Sequence, residues 1–301
     1  MTHCLFMPVF GAIEAGGTKF VCGIGTGPDD LVTTQIQTSL PEATVGAAVA
    51  WLREQSDGQL CAVGIGSFGP VDLHSGYITS TPKAAWRNYD LAGAVERGLD
   101  VPVVFDTDVN AAVLGEARWG AARDVSNCLY LTIGTGIGGG VIAGGRIVHG
   151  LTHPEMGHIR IPHDAAADPY PGACPYHGDC LEGLASGPAI EGRWGAPGWD
   201  LRPDHPAWVL EARYLALGIA NFICTLSPER ILIGGGVMRQ RQLYEMVGRE
   251  AGRLLGGYVE KVPDIVPPGL EELAGVLGAL ALAEGQNAPV ARPPAVQGFR
   301  G

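Results

Sequence analysis

Val9-Phe-Gly-Ala-Ile-Glu-Ala-Gly-Gly-Thr-Lys-Phe-Val-Cys-Gly-Ile-Gly25 consists of two short apolar runs on either side of a Gly-Gly pair. Apolar and β-branched residues bounded by glycine read as strands, and a glycine pair between them as a tight reversal, so this stretch predicts a hairpin. The plan returns at Asn127-Cys-Leu-Tyr-Leu-Thr-Ile-Gly-Thr-Gly-Ile-Gly-Gly-Gly-Val-Ile-Ala143, again two apolar runs about a glycine-rich turn, now with threonines. The repeat is one of plan and not of residues. A third glycine turn, Gly234-Gly-Gly-Val-Met238, follows the apolar run Arg230-Ile-Leu-Ile233. One such turn is noise; three at strand ends form a pattern.

Outward from these turns, strands alternate with helices. Leu40 to Gln55 reads as a helix with Pro41 in its first turn and Val45, Ala48, Val49 and Leu52 on one face. Cys61 to Gly66 and Val101 to Asp106 read as buried strands, while Asn110 to Trp119, Trp208 to Leu226 and Leu270 to Glu284 read as helices. The alternation predicts an α/β fold in two related halves with a cleft between them. The first half covers 1–119, completed by the helix at 270–286. The second covers 120–269 and includes a Pro/His/Cys/Gly-rich loop at 153–183, and a Pro-rich tail spans 287–301.

Composition narrows the function. The chain has 301 residues, with 20 Lys and Arg against 31 Asp and Glu, a net charge of −11 and no basic block, a poor match for nucleic acid. No uninterrupted apolar run has membrane-spanning length, and Met1 to Pro8 lacks the basic start and apolar stretch of a secretory signal, so a cytoplasmic location is expected. Seven scattered cysteines fit reduced thiols better than a disulfide framework. Glycine, at 46 residues, is about twice its usual share, which predicts many places where backbone approaches something closely.

Glycine turns let backbone amides reach an anion, and a hydroxyl and an ammonium, as in Gly16-Gly-Thr-Lys19, add donors. Neither a P-loop nor a dinucleotide fingerprint accounts for them. The P-loop spacing is absent, and a strand follows Gly134-x-Gly136-x-x-Gly139 where the fingerprint needs a helix. Asp106-Thr-Asp-Val-Asn110 ends an apolar strand, and phosphoryl transfer to a hydroxyl needs a carboxylate to accept its proton. Asp106 and Asp108 are both candidates, and either is also a candidate N-cap of the following helix. Cys174-Pro-Tyr-His-Gly-Asp-Cys180 places three soft or borderline donors at even spacing; with one upstream histidine from His153, His158 and His163 they form a four-ligand set of structural zinc type.

In order and spacing the three turns resemble the phosphate-1, phosphate-2 and adenosine motifs of the actin/hexokinase ATPase superfamily. Within it the chain resembles the ROK sugar kinases, specifically their fructokinase branch, from about Phe10 to Glu284. ROK repressors carry an additional N-terminal DNA-binding helix-turn-helix, for which the residues before the first motif leave no room. The resemblance implies a two-domain actin-like ATPase (ribonuclease-H-like) fold with an interdomain cleft and a small zinc-binding loop. It implies ATP-dependent phosphorylation of a hexose at the 6-hydroxyl, with D-fructose going to D-fructose 6-phosphate, by a cytoplasmic homodimer that binds neither nucleic acid nor membrane. ATP would be held by Gly16, Gly17, Thr18, Lys19, Thr132, Thr135, Gly136, Pro188, Gly234, Gly235, Gly236 and Met238. The family pattern places the base at Asp108 and sugar contacts at Asn110, Glu155 and Glu182. It assigns a structural Zn2+ to His158, Cys174, His177 and Cys180.

Mg2+ would arrive with ATP, and Glu14, one methylene longer than the superfamily's usual Asp, would contact it directly or through a water. Thr107 stands where many ROK glucokinases have a sugar-binding Asn. Lys83 and Trp86 are candidates for the sugar side, Trp86 more naturally for packing. The alternatives are a kinase for mannose or glucose and a sugar-sensing binding protein of the same fold. A bare structural zinc protein would leave the glycine turns without a purpose.

Overall fold

The computed structural model describes residues 8–285; the tail at 287–301, and residues 1–7 on which the reading of the N-terminus rests, lie outside the described residues. The chain divides into two units, 8–123 with 146–153 and 272–285, and 124–145 with 154–271.

In the first unit β1 (Val9–Ala15) and β2 (Lys19–Gly25) form the expected hairpin, Ile13 opposite Cys22, and β3 (Val32–Gln37) extends it. α1 (Pro41–Ser56) leads to β4 (Leu60–Ser67), which lies parallel to β1 with Ile13 beside Ile65. The short strands β5 (Val71–Asp72), β6 (Tyr77–Ile78) and β7 (Tyr89–Asp90) form a small antiparallel sheet of their own. α2 (Leu91–Leu99) then leads to β8 (Val103–Thr107), parallel to β4, giving the main sheet the order β3-β2-β1-β4-β8. α3 (Asp108–Trp119) follows at once.

The sheet's two faces are built differently because side chains alternate along a strand. Ile13, Phe20, Val63 and Ile65 face Val45, Leu52, Trp86 and Leu91 in one apolar cluster. On the other face Gly64 and Gly66 leave room for helix backbone: a Cβ on Gly64 would strike the Ala279 carbonyl. That carbonyl belongs to α8 (Ala274–Glu284), whose Gly278 meets the Ala111 carbonyl of α3 in the same way. The glycine excess therefore serves close packing of α3 and α8 on β4 as well as the turns.

The second unit repeats the plan. β9 (Cys128–Ile133) pairs antiparallel with β10 (Ile137–Ala143) and parallel with β12 (Arg230–Gly234), which pairs parallel with β13 (Asp264–Val266). Between β10 and β12 lie β11 (Arg146–Ile147), in the segment that rejoins the first unit, and the helices α4 (Leu181–Ala185), α5 (Gly187–Trp194) and α6 (Ala207–Leu226). α7 (Gln242–Leu254) connects β12 to β13. α6 has the length and composition of a membrane span, but it carries Glu211 and Arg213 and packs against α4 and α7 as a core helix.

Three sequence expectations shift. Residues 146–153, read within 120–269, lie with the first unit, where His149 meets Asp106 and His153 Nε2 accepts the Val71 N–H at 3.1 Å. The last helix begins at Ala274, because Glu271–Leu273 forms a 3-10 turn. α3 begins at Asp108 and not Asn110, because Thr107 caps it.

Candidate active site

The parallel strands of the first unit end at Ala15, Ser67 and Thr107, and open α/β sheets bind ligands at such carboxyl ends. The Thr107 hydroxyl accepts the Asn110 N–H at 3.1 Å, the usual service of an N-cap, and Thr107 is buried. Neither Asp106 nor Asp108 is therefore the cap, and the Thr-x-x-Asn spacing before an apolar run was the signal for it. Asp106 is 3% exposed and its carboxylate has three partners: Oδ1 accepts the Thr107 N–H and Asn110 Nδ2, each at 2.7 Å, and Oδ2 lies 2.8 Å from His149 Nε2. Asp108, the first helical residue, is half-buried, and its Oδ1 accepts the Val109 N–H at 2.8 Å. Asn110 is completely buried.

The first glycine turn is closed by the Gly16 N–H on the Lys19 carbonyl at 3.0 Å, and Thr38 ties it down through the Gly16 and Thr18 carbonyls. Thr18 and Lys19 are exposed. Glu14 brings its carboxyl against Gly275 at the start of α8. Burial, with the charges of Asp108 and Glu272 adding to it and Lys19 opposing, pushes the Glu14 carboxyl up to about 7. On the turn itself Lys83 lies across Gly17: a Cβ there would stand 2.8 Å from Lys83 Cε. The Lys83 backbone is fixed by its neighbours, since buried Trp86 donates Nε1–H to the Ser39 carbonyl at 3.0 Å and Arg87 Nε donates to the Thr81 carbonyl at 2.8 Å. Trp86 thus packs, and Lys83 faces the first glycine turn.

In the second unit Thr132 pairs with Gly234 across β9 and β12, and the Gly134 N–H closes its turn on the Gly136 carbonyl at 2.9 Å. The Gly187 N–H, at the start of α5, reaches the Gly134 carbonyl at 2.7 Å, which brings exposed Pro188 to this turn. Thr132, exposed Thr135, Gly136, Pro188 and Gly234 to Gly236 therefore share one end of the sheet. Met238 does not join them at the surface; it is 2% exposed, packed in the core of its unit. Glu182 commits Oε2 to the Ile137 N–H at 2.9 Å, against Gly136. Glu155 is exposed, and its carbonyl accepts the His158 N–H at 3.1 Å.

The Pro/His/Cys/Gly-rich loop folds into a knuckle. Cys174 and Gly178 exchange backbone hydrogen bonds at 3.3 and 3.0 Å, Cys180 sits at the N-cap of α4, and His158 ends a 3-10 turn. This gathers the ligand atoms of His158, Cys174, His177 and Cys180 within 4.8 Å of one another. The two Nδ1 atoms are 3.3 Å apart, and the sulfur-to-nitrogen separations measured from Cys174 and Cys180 are 3.6 to 3.7 Å. A tetrahedron built on zinc bonds of about 2.0 Å to nitrogen and 2.3 Å to sulfur has edges of about 3.3 Å between nitrogens and 3.5 Å from nitrogen to sulfur. Burial pushes the Cys180 thiol up to about 11, with Cys174 and Glu182 adding to it, so a dication is what would make it the thiolate a ligand must be. The donor set fits zinc.

The two rival histidines are occupied elsewhere. His153 holds Val71, and the His163 ring lies between Asp179 Oδ2 at 3.3 Å and the Asp168 carbonyl at 2.9 Å.

The ROK family model matches residues 10–286. The chain is 42% identical over 293 residues to the fructokinase of Zymomonas mobilis subsp. mobilis, covering 91% of this chain and 96% of that one. It is 41% identical over 286 residues to the fructokinase of Pediococcus pentosaceus, covering 92% and 98%. Among solved structures, the ROK family glucokinase from Streptomyces griseus, in complex with glucose and AMPPNP, matches with a TM-score of 0.75 at 27% identity, covering 92% of this chain and 99% of that one.

Proposed function

The chain belongs to the ROK family, and we propose that it is an ATP-dependent fructokinase, transferring the γ-phosphoryl group of ATP to the 6-hydroxyl of D-fructose to give D-fructose 6-phosphate and ADP. The observation that carries the substrate is the 41–42% identity to two fructokinases over nine-tenths of the chain. The Thr107 hydroxyl, spent on capping α3, supports it: the position that binds sugar in many ROK glucokinases has a local structural use here.

In this reading Asp108 takes the proton from the 6-hydroxyl as the new O–P bond forms, and the bond to the bridging β–γ oxygen breaks with its electron pair leaving on ADP. Burial and three hydrogen-bond partners favour a structural use for Asp106 over the part of base. Asn110 orients the sugar next to the base, with Glu155 and Glu182 as further hydroxyl contacts. The glycine turns offer backbone amides to phosphates: Gly16, Gly17 and Thr18 with Lys19 in the first unit, and Thr132, Thr135 and Gly136 in the second. Lys83, laid across Gly17, adds a second cation to the first turn. Gly234 to Gly236 with Pro188 receive the adenosine, and Met238 supports that end from the core.

Mg2+ arriving with ATP would neutralise charge on the phosphates, and Glu14, crowded by Asp108, is the carboxyl that would face it. Zn2+ on His158, Cys174, His177 and Cys180 has four protein ligands and no open position, so its part is to fix the loop that carries Glu155 and Glu182. The family resemblance further supports a cytoplasmic homodimer. ADP release measured across a panel of hexoses tests the reading. D-fructose should give the highest kcat/KM, and a tenfold advantage for glucose, mannose or N-acetylmannosamine, about 1.4 kcal/mol in transition-state stabilisation, refutes the substrate.

A further inference from the structure

His149 belongs to none of the motifs read from the sequence, yet its ring reaches the centre of the acceptor site. Its Nε2 lies 2.8 Å from Oδ2 of buried Asp106, whose Oδ1 accepts Asn110 Nδ2 and the Thr107 N–H. Asn110 Nδ2 is itself 3.4 Å from His149 Nε2, so two donors converge on one carboxylate. A carboxylate only accepts, which fixes a hydrogen on Nε2 and turns the nitrogen of the Asn110 amide toward Asp106. Asn110 Oδ1 is then directed away from Asp106, buried and without a partner. A buried acceptor left unpaired is costly, and a hydroxyl that reaches Oδ1 would relieve that cost.

We propose that His149 is a positioning residue for the acceptor sugar: through Asp106 it sets the Asn110 amide, so that Oδ1 receives a sugar hydroxyl next to the base Asp108. This rests on the kinase reading of the same site. Asp106 also governs the charge of His149. Its hydrogen bond, opposed by burial and reinforced by its negative charge, raises the imidazole above the ordinary 6.5, and it is the one charged group acting on the ring from β8 and α3. The ion pair is complete below the ordinary value and weakens as pH rises through the raised one. The neutral ring keeps its Nε2–H, so the loss is graded.

The test uses the full-length chain as wild type, His149→Leu and His149→Gln, with the hexose that the wild type phosphorylates fastest. Loss of one charge-assisted hydrogen bond should raise the sugar KM of His149→Leu by about tenfold, with the ATP KM within twofold of wild type. His149→Gln still offers an N–H to Asp106 but does not titrate. Its sugar KM should return to within about threefold of wild type at neutral pH, and the rise in sugar KM with pH seen in wild type should vanish. A sugar KM within twofold of wild type for His149→Leu, an ATP KM that moves as much as the sugar KM, or no rescue by Gln overturns the proposal. A wild type inactive on every hexose overturns the kinase reading instead. The coupling is then read by NMR on the wild type, where the His149 ring must titrate above the ordinary histidine value; a ring that titrates at or below that value overturns it.

Discussion

The turn between β1 and β2 and the turn between β9 and β10 occupy the same place in two sheets of one plan, yet they are built with opposite means. Each has a glycine under a charged side chain, Lys83 over Gly17 and Glu182 over Gly136, so the signs are reversed. The first turn is ionic: Glu14 and Lys19 flank it, and Asp108 is near enough to raise the Glu14 carboxyl. The second has no ionisable residue between Ile133 and Ile137 and is held by backbone, through Gly134 to Gly136 and Gly187 to Gly134. In the proposed reading a common topology thus supplies one turn for a changing charge, where mobile cations and a base are useful, and one for a fixed anion, where preorganised amides suffice.

The largest effect that could break this contrast is at the base. Asp108→Asn keeps the shape and cannot take a proton, so kcat should fall by a factor of about 10² to 10⁴ while ATP affinity, which the proposed reading gives to the two turns, stays within a few-fold. Asp106→Asn should instead cost stability and sugar affinity, because Asn cannot accept from His149, Asn110 and Thr107 as a carboxylate does. Steady-state kinetics with thermal melts on both variants decide. If Asp108→Asn retains more than about a third of kcat and Asp106→Asn abolishes it, the base is Asp106 and the ionic turn serves another residue.

The second unit has its own sharp test. His177→Ala should reduce zinc from one ion per chain to nearly none and lower the melting temperature by about 5 °C or more, since forming the site and folding the loop are one event. Proteolysis should then cut between residues 153 and 183 first, leaving the first unit's hairpin protected. Zinc-free wild-type protein, purified without chelator and equally resistant, refutes the site.

Both glycine turns were legible because a hairpin is local: strand, glycine pair and strand lie within one window of sequence. The His/Cys quartet was legible for a similar reason, since Cys174, His177 and Cys180 are closely spaced, although choosing His158 over His153 and His163 needed the family pattern. The structure supplies the physical reason for that choice in the partners of the other two rings. What escaped depends on distant contacts. Nothing near His149 says that it will meet Asp106, 43 residues earlier. Lys83 was weighed for the sugar side and faces Gly17 because Trp86 anchors its loop. α7 is a different kind of omission: Leu243, Val247 and Ala251 recur at four-residue spacing on its buried face, a helical signal present in the sequence.

The two covered glycines allow a direct comparison of smaller effect. At Gly136 a methyl group would stand 2.6 Å from Glu182 Oε2, which is pinned by the Ile137 N–H; at Gly17 it would meet the flexible end of an exposed lysine. Gly136→Ala should therefore cost about 1–3 kcal/mol, as overpacking does, and Gly17→Ala less than about 0.5 kcal/mol. In turnover the order should reverse, with Gly17→Ala raising the ATP KM because Lys83 is pushed off the turn. Equal losses in denaturant melts would mean that the two turns are equally rigid.

The smallest expected effect isolates the charge of the first turn from its shape. The Glu14 carboxyl sits at about 7 in the folded chain against an ordinary 4.5, raised chiefly by burial and then by Asp108. A raised carboxyl favours the protonated form in the fold, so its support is complete below 4.5 and is lost as pH rises through 7. Above that pH the ligand-free protein carries an ionised, crowded carboxylate, which Glu14→Gln removes at nearly constant shape. The full shift would correspond to about 3 kcal/mol, but the group is only half-buried and solvent screens it, leaving about 1 kcal/mol. Glu14→Gln should therefore melt about 2–4 °C above wild type at pH 8, with most of that gain gone at pH 5. The same substitution should impair turnover, because a neutral amide faces the nucleotide's cation less well than a carboxylate. A pH-independent difference in melting would mean that Glu14 is not under electrostatic pressure, and the ionic character assigned to the first turn would then rest on Lys19 and Lys83 alone.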